Sequence, residues 1–432
     1  MRYPTERLQD RSSTEGGDTR VFYHPELDVL RFLAFLAVFI HHALPREISV
    51  YVHSGLPRAL AEWLVTAKNA GAYGVDLFFV LSAYLITELL LREHASRGSF
   101  SISNFYIRRA LRIWPLYFVF LLITVLVVPL ILPEDQFGSV YIVSFALFVG
   151  NWVCAANGLP FSVASPLWSI SVEEQFYLAW PPLLRLVGIK RIKQLAIALL
   201  AVALTTRILL AGYSVEHPAV WCNTIARLDS IALGAILAIA LAGRAPQIKT
   251  VARVLLGGTA VGILLLVAKY LDQDGPTSVI TYLATAVASV MLLVAALRSE
   301  AKFLLARPFS WLVYLGRISY GLYVFHLLAL ALVPKVLIVN LGIPLNFESR
   351  VLLSFGLTIL LAAVSYRFLE QPFLQLKKRF SPNVAPDSDS PRAPDLAEPL
   401  LVGVTSNGGS RPRLRLNRPV RLATRNRRAP RR

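Results

Sequence analysis

Several titratable side chains in this sequence fall inside strongly apolar segments, and their spacing has chemical meaning. In the apolar stretch 27–45, Arg31 and His42 are 11 positions apart. On a helix that is about three turns, so the two share a face and lie roughly 16 Å apart along the axis. Asp28 falls close to the same face. His41 is turned by about 100° from His42, which leaves His42 as the histidine on Arg31's line. An imidazole there can serve as a general base or a transient carrier of a transferred group, or it can be a satisfied polar residue near an interface. The segment Ser-Val-Glu-Glu-Gln-Phe-Tyr at 171–177 puts Glu173 and Glu174 on a helix with Tyr177 at i,i+4 and i,i+3. These carboxylates suit acid–base work, or they hold Arg207 or Arg227 in place. Asp76, in Gly-Val-Asp-Leu-Phe-Phe-Val, has a similar pair of readings. Arg109 and Arg112, three apart on one helical face, can give multidentate contact to a phosphorylated cofactor, or they only set topology.

The elements that must carry these residues are membrane helices. The 432 residues are 55% hydrophobic and 16% charged, whereas a soluble domain is about a quarter charged. Apolar runs near twenty residues complete the signal. The formal charge of +18 does not indicate a nucleic-acid partner: ten arginines lie between Arg411 and Arg432, and without them the charge is +8. The remaining cations sit in short loops beside apolar runs, as the positive-inside rule expects. Cys154 and Cys222 form no disulfide framework and no metal spacing, and the histidines show no HxH or HExxH pattern, so no metal is inferred. Neither GxxxxGK[ST] nor GxGxxG occurs, which argues against a nucleotide triphosphatase or a dinucleotide enzyme. The first apolar segment begins near Leu27 after a polar leader and contains Arg31, His41 and His42. It reads as a retained helix rather than a cleaved signal peptide.

Eleven apolar segments can be counted, from 27–45 to 351–371. Segment 139–153 would be only about 22 Å long as a helix, short of the ~30 Å hydrocarbon core. If it enters and returns, or lies at the interface, then every basic loop falls on the cytosolic side. The expected fold is therefore an all-α polytopic transmembrane bundle of about ten spans plus one re-entrant or interfacial segment, with both termini cytosolic. The domain limits are a disordered leader at 1–22, a membrane domain at 23–376 and a basic disordered tail at 377–432. The tail reads as an orientation determinant that touches anionic headgroups, or as a docking site for a partner. Charged residues inside spans are costly and usually mark a pathway or a site. Here they form two layers: Arg31, Arg109 and Arg112 towards the cytosol, and His42, Asp76, Glu173, Glu174, Arg227, Asp229 and His326 deeper and outward.

Seven motifs in order resemble the acyltransferase-3 family of integral membrane acyltransferases. They are Leu27–His42, with ten residues between the arginine and the histidine; Gly74–Thr87; Phe105–Tyr117, which carries Arg109 and Arg112; Leu167–Leu178; Arg227–Ala235; Leu315–His326; and Tyr366–Phe373. Ala83-Tyr84 stands where the second motif more often has Gly-Phe. The resemblance covers roughly residues 26–376. It implies acyl-CoA-dependent O-acylation, commonly acetylation, of sugars in surface polysaccharide, lipopolysaccharide, glycolipid or glycosylated metabolites, in the inner (plasma) membrane. It implies that His42 is essential and that Arg31, Arg109 and Arg112 are important. Some members carry a C-terminal hydrolase-like domain, and the tail here is expected to be too short and polar to form one.

Together these readings give a mechanism. The phosphates of acyl-CoA, with acetyl-CoA the expected co-substrate, rest on the cytosolic arginines. The pantetheine arm, on the order of 20 Å, is comparable with the ~16 Å rise from Arg31 to His42. His42 acts as the base or, less favoured, as an acyl carrier. Glu173 or Glu174 orients it or binds sugar hydroxyls, while Asp76, Arg227, Asp229 and His326 shape the acceptor pocket. The rival reading is a transporter or flippase for a sugar-bearing lipid, which often shows inverted repeats and paired broken helices; neither is evident in the sequence.

Overall fold

The computed structural model describes residues 24–297 and 309–380. The described residues are helical, with no strand among them. The main elements are α1 (Pro25–Ala43), α2 (Arg58–Ala70), α3 (Gly74–Arg97), α4 (Ile102–Leu126), α5 (Ser139–Ala146), α6 (Gly150–Asn157) and α7 (Leu167–Val187). They continue as α8 (Ile192–Gly212), α9 (Leu228–Leu241), α10 (Thr250–Tyr270), α11 (Thr277–Ala296), α12 (Ser310–Arg317), α13 (Ser319–Val333), α14 (Phe347–Ser365) and α15 (Gln371–Lys377). The expected leader 1–22 and most of the expected tail lie outside the described residues. Residues 377–380, assigned to that tail, instead finish α15 and a short turn.

Among the described residues, seven helices are long and apolar enough to cross a bilayer. The other three expected spans are α1, α7 and α9. Helix α1 carries Glu26, Asp28 and Arg31, and α7 carries Glu173, Glu174 and an internal Pro181-Pro182. Helix α9 has 14 residues, about 21 Å. All three pack against α3 or its neighbours. A helix surrounded by protein need not match lipid on every face, so its charges can face partners instead.

Helix α3 is the hub, packed by α9, α1, α11 and α7. Small residues set these close approaches, as expected where lipid supplies no hydrophobic drive between helices. A Cβ on Gly234 of α9 would run into the Val80 carbonyl of α3, and one on Gly316 of α12 into the Asp28 carbonyl of α1.

Segment 139–157 is not a single span. Helices α5 and α6 have eight residues each, about 12 Å apiece, and the chain reverses between them at Phe148, whose φ is +56°. A non-glycine residue rarely adopts that conformation unless its surroundings hold it. Here Gln175 donates to the Phe148 carbonyl (2.8 Å) and to Asn151 Oδ1 (2.7 Å), and Tyr117 donates to the Phe145 carbonyl (2.8 Å).

The α3–α4 corner sets the arginine pair. Gly98, at φ +71°, ends α3 in the left-handed conformation that glycine adopts without a Cβ penalty. Ser101 caps α4 by accepting from the Asn104 amide (3.3 Å). Glu93 braces the corner, accepting from the Ser101 amide (3.0 Å) and from Arg108 (2.9 Å). Helices α4 and α7 are then stitched together. Pro182 cannot donate to the Leu178 carbonyl one turn back, and the Tyr106 hydroxyl donates there instead (2.7 Å).

Candidate active site

Two neighbouring cavities lie inside the bundle. The first, of about 100 Å³, is lined by Arg31, Arg109 and Arg112 together with Ser82, Ser169, Glu173, Tyr177, Tyr320 and Tyr323. The second, of about 460 Å³, is lined by His41 and His42 with Tyr73, Trp168, Trp221, His217, Arg46, Asp272 and Asp274. Val75 and Tyr323 line both. Tyr323 is held at that junction by Ser169 Oγ (2.7 Å) and the Pro166 carbonyl (3.2 Å).

The arginine cavity has an excess of positive charge. Arg31 pairs with Asp28 at 3.0 Å. Arg109 lies 5.7 Å from the Phe105 ring, and its Nε is buried without a hydrogen-bond partner. Among the described residues, neither Arg109 nor Arg112 has a carboxylate partner in ion-pair range. Unpaired buried guanidinium is costly, so the arrangement favours an anion with several oxygens. The one carboxylate that lines this cavity, Glu173, accepts from Ser82 (2.9 Å) and Tyr177 (2.9 Å).

The second cavity is built around a histidine pair. His42 Nδ1 lies 3.0 Å from the Val38 carbonyl and 3.3 Å from His326 Nε2. His326 Nδ1 lies 2.6 Å from the Tyr323 carbonyl. A carbonyl only accepts, so each Nδ1 must carry the hydrogen. His326 Nε2 is then a lone-pair nitrogen that accepts from His42 Nδ1–H. The consequence is that His42 keeps a free lone pair on Nε2, the state a general base requires.

This geometry revises several sequence expectations. Glu173 and Glu174 do not orient His42: Glu173 bonds Ser82 and Tyr177, and Glu174 accepts from Trp114 Nε1 (3.0 Å). Neither holds Arg207 or Arg227. Those arginines pair with other carboxylates, Arg207 with Asp229 (2.6 Å) and Arg227 with Asp76 (2.9 Å), and all four side chains are fully buried. Asp76, Arg227 and Asp229, expected to shape the acceptor pocket, line neither cavity. Ser230 links the two pairs: its hydroxyl donates to Asp76 and its amide to Asp229. His326, also expected to shape the acceptor pocket, is the partner of His42 and lines neither cavity. His41 also lines the histidine cavity, with its ring 5.0 Å from that of His42. Its Nδ1 is satisfied by the Lys68 carbonyl (3.1 Å).

Tyr323 at the junction, and Trp168 and Trp221 in the second cavity, were not singled out from sequence. For Tyr323 a signal existed: it lies three residues before His326, on the same helical face. For the tryptophans there was none, because an aromatic in an apolar helix looks like core.

The profile of the acyltransferase-3 family, described as an acyltransferase domain, matches residues 24–367. A Staphylococcus aureus (strain MSSA476) protein provisionally named an O-acetyltransferase is 29% identical over 377 residues, which is 81% of this chain and 57% of that protein. The peptidoglycan O-acetyltransferase OatA of Listeria monocytogenes is 28% identical over 374 residues, covering 81% and 56%. The O-acetyltransferase OatA of Staphylococcus aureus (strain NCTC 8325) is 28% identical over 376 residues, covering 81% and 57%. The chain thus spans 57% or less of the length of these curated relatives. No solved structure matches the chain.

Proposed function

The chain belongs to the acyltransferase-3 family, and from that premise we propose that it is a membrane O-acetyltransferase using acetyl-CoA as donor and a sugar hydroxyl as acceptor. The observation that carries the reading is that the arginine and histidine cavities are neighbours, with Val75 and Tyr323 lining both. Arg31, Arg109 and Arg112 bind the phosphates of the donor from the cytosolic side. The pantetheine arm passes Tyr323 and brings the thioester to His42, a rise of about 16 Å from Arg31.

His42 Nε2 takes the proton of the acceptor hydroxyl as its oxygen attacks the thioester carbonyl carbon. The new C–O bond forms, the C–S bond breaks, and the departing thiolate of coenzyme A receives that proton from His42. The product is an O-acetyl ester and free coenzyme A. The Val38 carbonyl fixes the His42 tautomer, and His326 shares the Nδ1–H and orients the ring. The crossed Asp76–Arg227 and Arg207–Asp229 pairs hold α3, α8 and α9 together around the site. The names of the relatives, which include a peptidoglycan O-acetyltransferase, support a carbohydrate acceptor in a surface glycan. A plasma-membrane location, with ten spans and both termini cytosolic, accompanies this reading.

The test is transfer of label from radioactive acetyl-CoA in isolated membranes containing wild type or His42→Ala at matched abundance. Transfer by the wild type and its loss in the variant are expected. Equal transfer by both would overturn the assignment of His42. No transfer by the wild type, with transport of a glycolipid instead, would favour the flippase reading.

A further inference from the structure

The histidine cavity has a wall and a rim of different chemistry, and together they say what enters it. Its volume, about 460 Å³, lies in the range of small-molecule sites. Part of the lining is an aromatic cluster of mutually inclined rings. The Trp168 and Trp221 rings are 5.7 Å apart, and Tyr73 is 6.4 Å from Trp221. Polar groups complete the lining: Asp272 and Asp274 from the α10–α11 loop, Asn69 at the end of α2, Arg46, and His217, whose ring is 6.2 Å from that of Trp221. Asp274 Oδ1 is buried and accepts no hydrogen bond.

We propose that this cavity is the acceptor subsite and that it takes a pyranose ring packed into the aromatic corner of Trp221 and Trp168, one ring face on an indole and its hydroxyls donating to Asp272 and Asp274. The inference rests on the function proposed above and deepens it. A sugar ring carries C–H groups on its face and hydroxyls at its edge, so it needs a flat apolar wall beside hydrogen-bond acceptors. The acyl chain of a lipid would leave the carboxylates unsatisfied.

The wall is also held rigid from behind. The Arg227 guanidinium carbon is 4.5 Å from the Trp221 ring centroid and 5.2 Å from those of Phe79 and Tyr282, and Asp76 fixes the arginine at 2.9 Å. The buried ion pair thus acts on the acceptor through the indole, although it lines neither cavity.

The experiment uses the purified full chain in lipid nanodiscs, radiolabelled acetyl-CoA, and alkali-treated surface glycan isolated from cells lacking this gene. Trp221→Leu and Asp274→Asn are expected to raise the apparent KM for the glycan tenfold or more. The KM for acetyl-CoA and its equilibrium binding should stay within twofold, which also certifies folding. Trp221→Phe, which keeps a ring face, should recover most of the loss. An unchanged glycan KM in both variants, or a donor KM that rises in parallel, would overturn the proposal. If the wild type acetylates a membrane lipid and not the glycan, this inference fails while the transferase reading stands. If it acetylates nothing, the transferase reading itself fails.

Discussion

Replacing His326 tests the histidine pair most directly, because its structural and substrate-binding roles predict different kinetics. The His326 ring is fully buried, 3.3 Å from His42 Nδ1 through Nε2 and tied to the Tyr323 carbonyl at 2.6 Å through Nδ1. His326→Leu removes the second acceptor of His42 Nδ1–H, leaving the Val38 carbonyl at 3.0 Å, and puts an apolar side chain of similar bulk in its place. Losing a buried hydrogen bond of this kind costs about 1–3 kcal/mol. If that energy holds the His42 ring in its reactive orientation, kcat should fall roughly 5- to 150-fold. His326→Gln supplies a side-chain carbonyl that can accept the same hydrogen, so it should retain more activity than the leucine variant. The assay is transfer from radiolabelled acetyl-CoA by purified protein in nanodiscs, with both substrates varied. The reasoning is refuted if leucine and glutamine variants lose kcat equally. It is equally refuted if kcat holds and the acceptor KM rises, since His326 would then be a wall of the acceptor pocket, as the sequence reading had it.

Other perturbations separate the remaining parts. Arg109→Ala and Arg112→Ala should each weaken coenzyme A binding roughly 10- to 100-fold, since a charge-assisted hydrogen bond contributes about 1.5–3 kcal/mol; isothermal titration with coenzyme A alone reads this, and undiminished affinity removes the phosphate site. Asp229→Leu leaves Arg207 buried and unpaired, at a cost of about 3–5 kcal/mol. Thermal unfolding in detergent should show a large drop, and Arg207→Met in the same chain should restore part of it. Gly316→Val drives a side chain into the Asp28 carbonyl, an overpacking cost of about 1–3 kcal/mol that should lower thermal stability. Burial pushes the His217 imidazole below its ordinary range, with Arg46 adding to the effect and Asp274 opposing it. The unfolded chain then binds the proton more readily than the folded one, so stability should fall as the pH drops below about 6.5. The fall should be shallower in His217→Gln.

The sequence alone determined the class of molecule and which of its polar residues share a helical face. Apolar runs and a charge deficit are one-dimensional quantities, so the helical membrane architecture followed from them. Helical phase is also local, and it put Arg109 with Arg112 on one face and Glu173 with Tyr177 at i,i+4. The short 139–153 segment was recognised as no ordinary span because length is read directly from the chain. Partner choice was not legible in the same way. Which carboxylate meets which arginine depends on the crossing of α3, α8 and α9, and that crossing is set by Gly234 against a backbone carbonyl and by the fit of neighbouring side chains. The tertiary structure therefore decided that Asp76 holds Arg227, that Asp229 holds Arg207, and that His42 answers to His326 across 284 positions of chain. Long-range pairing is a property of packing, and no local spacing encodes it.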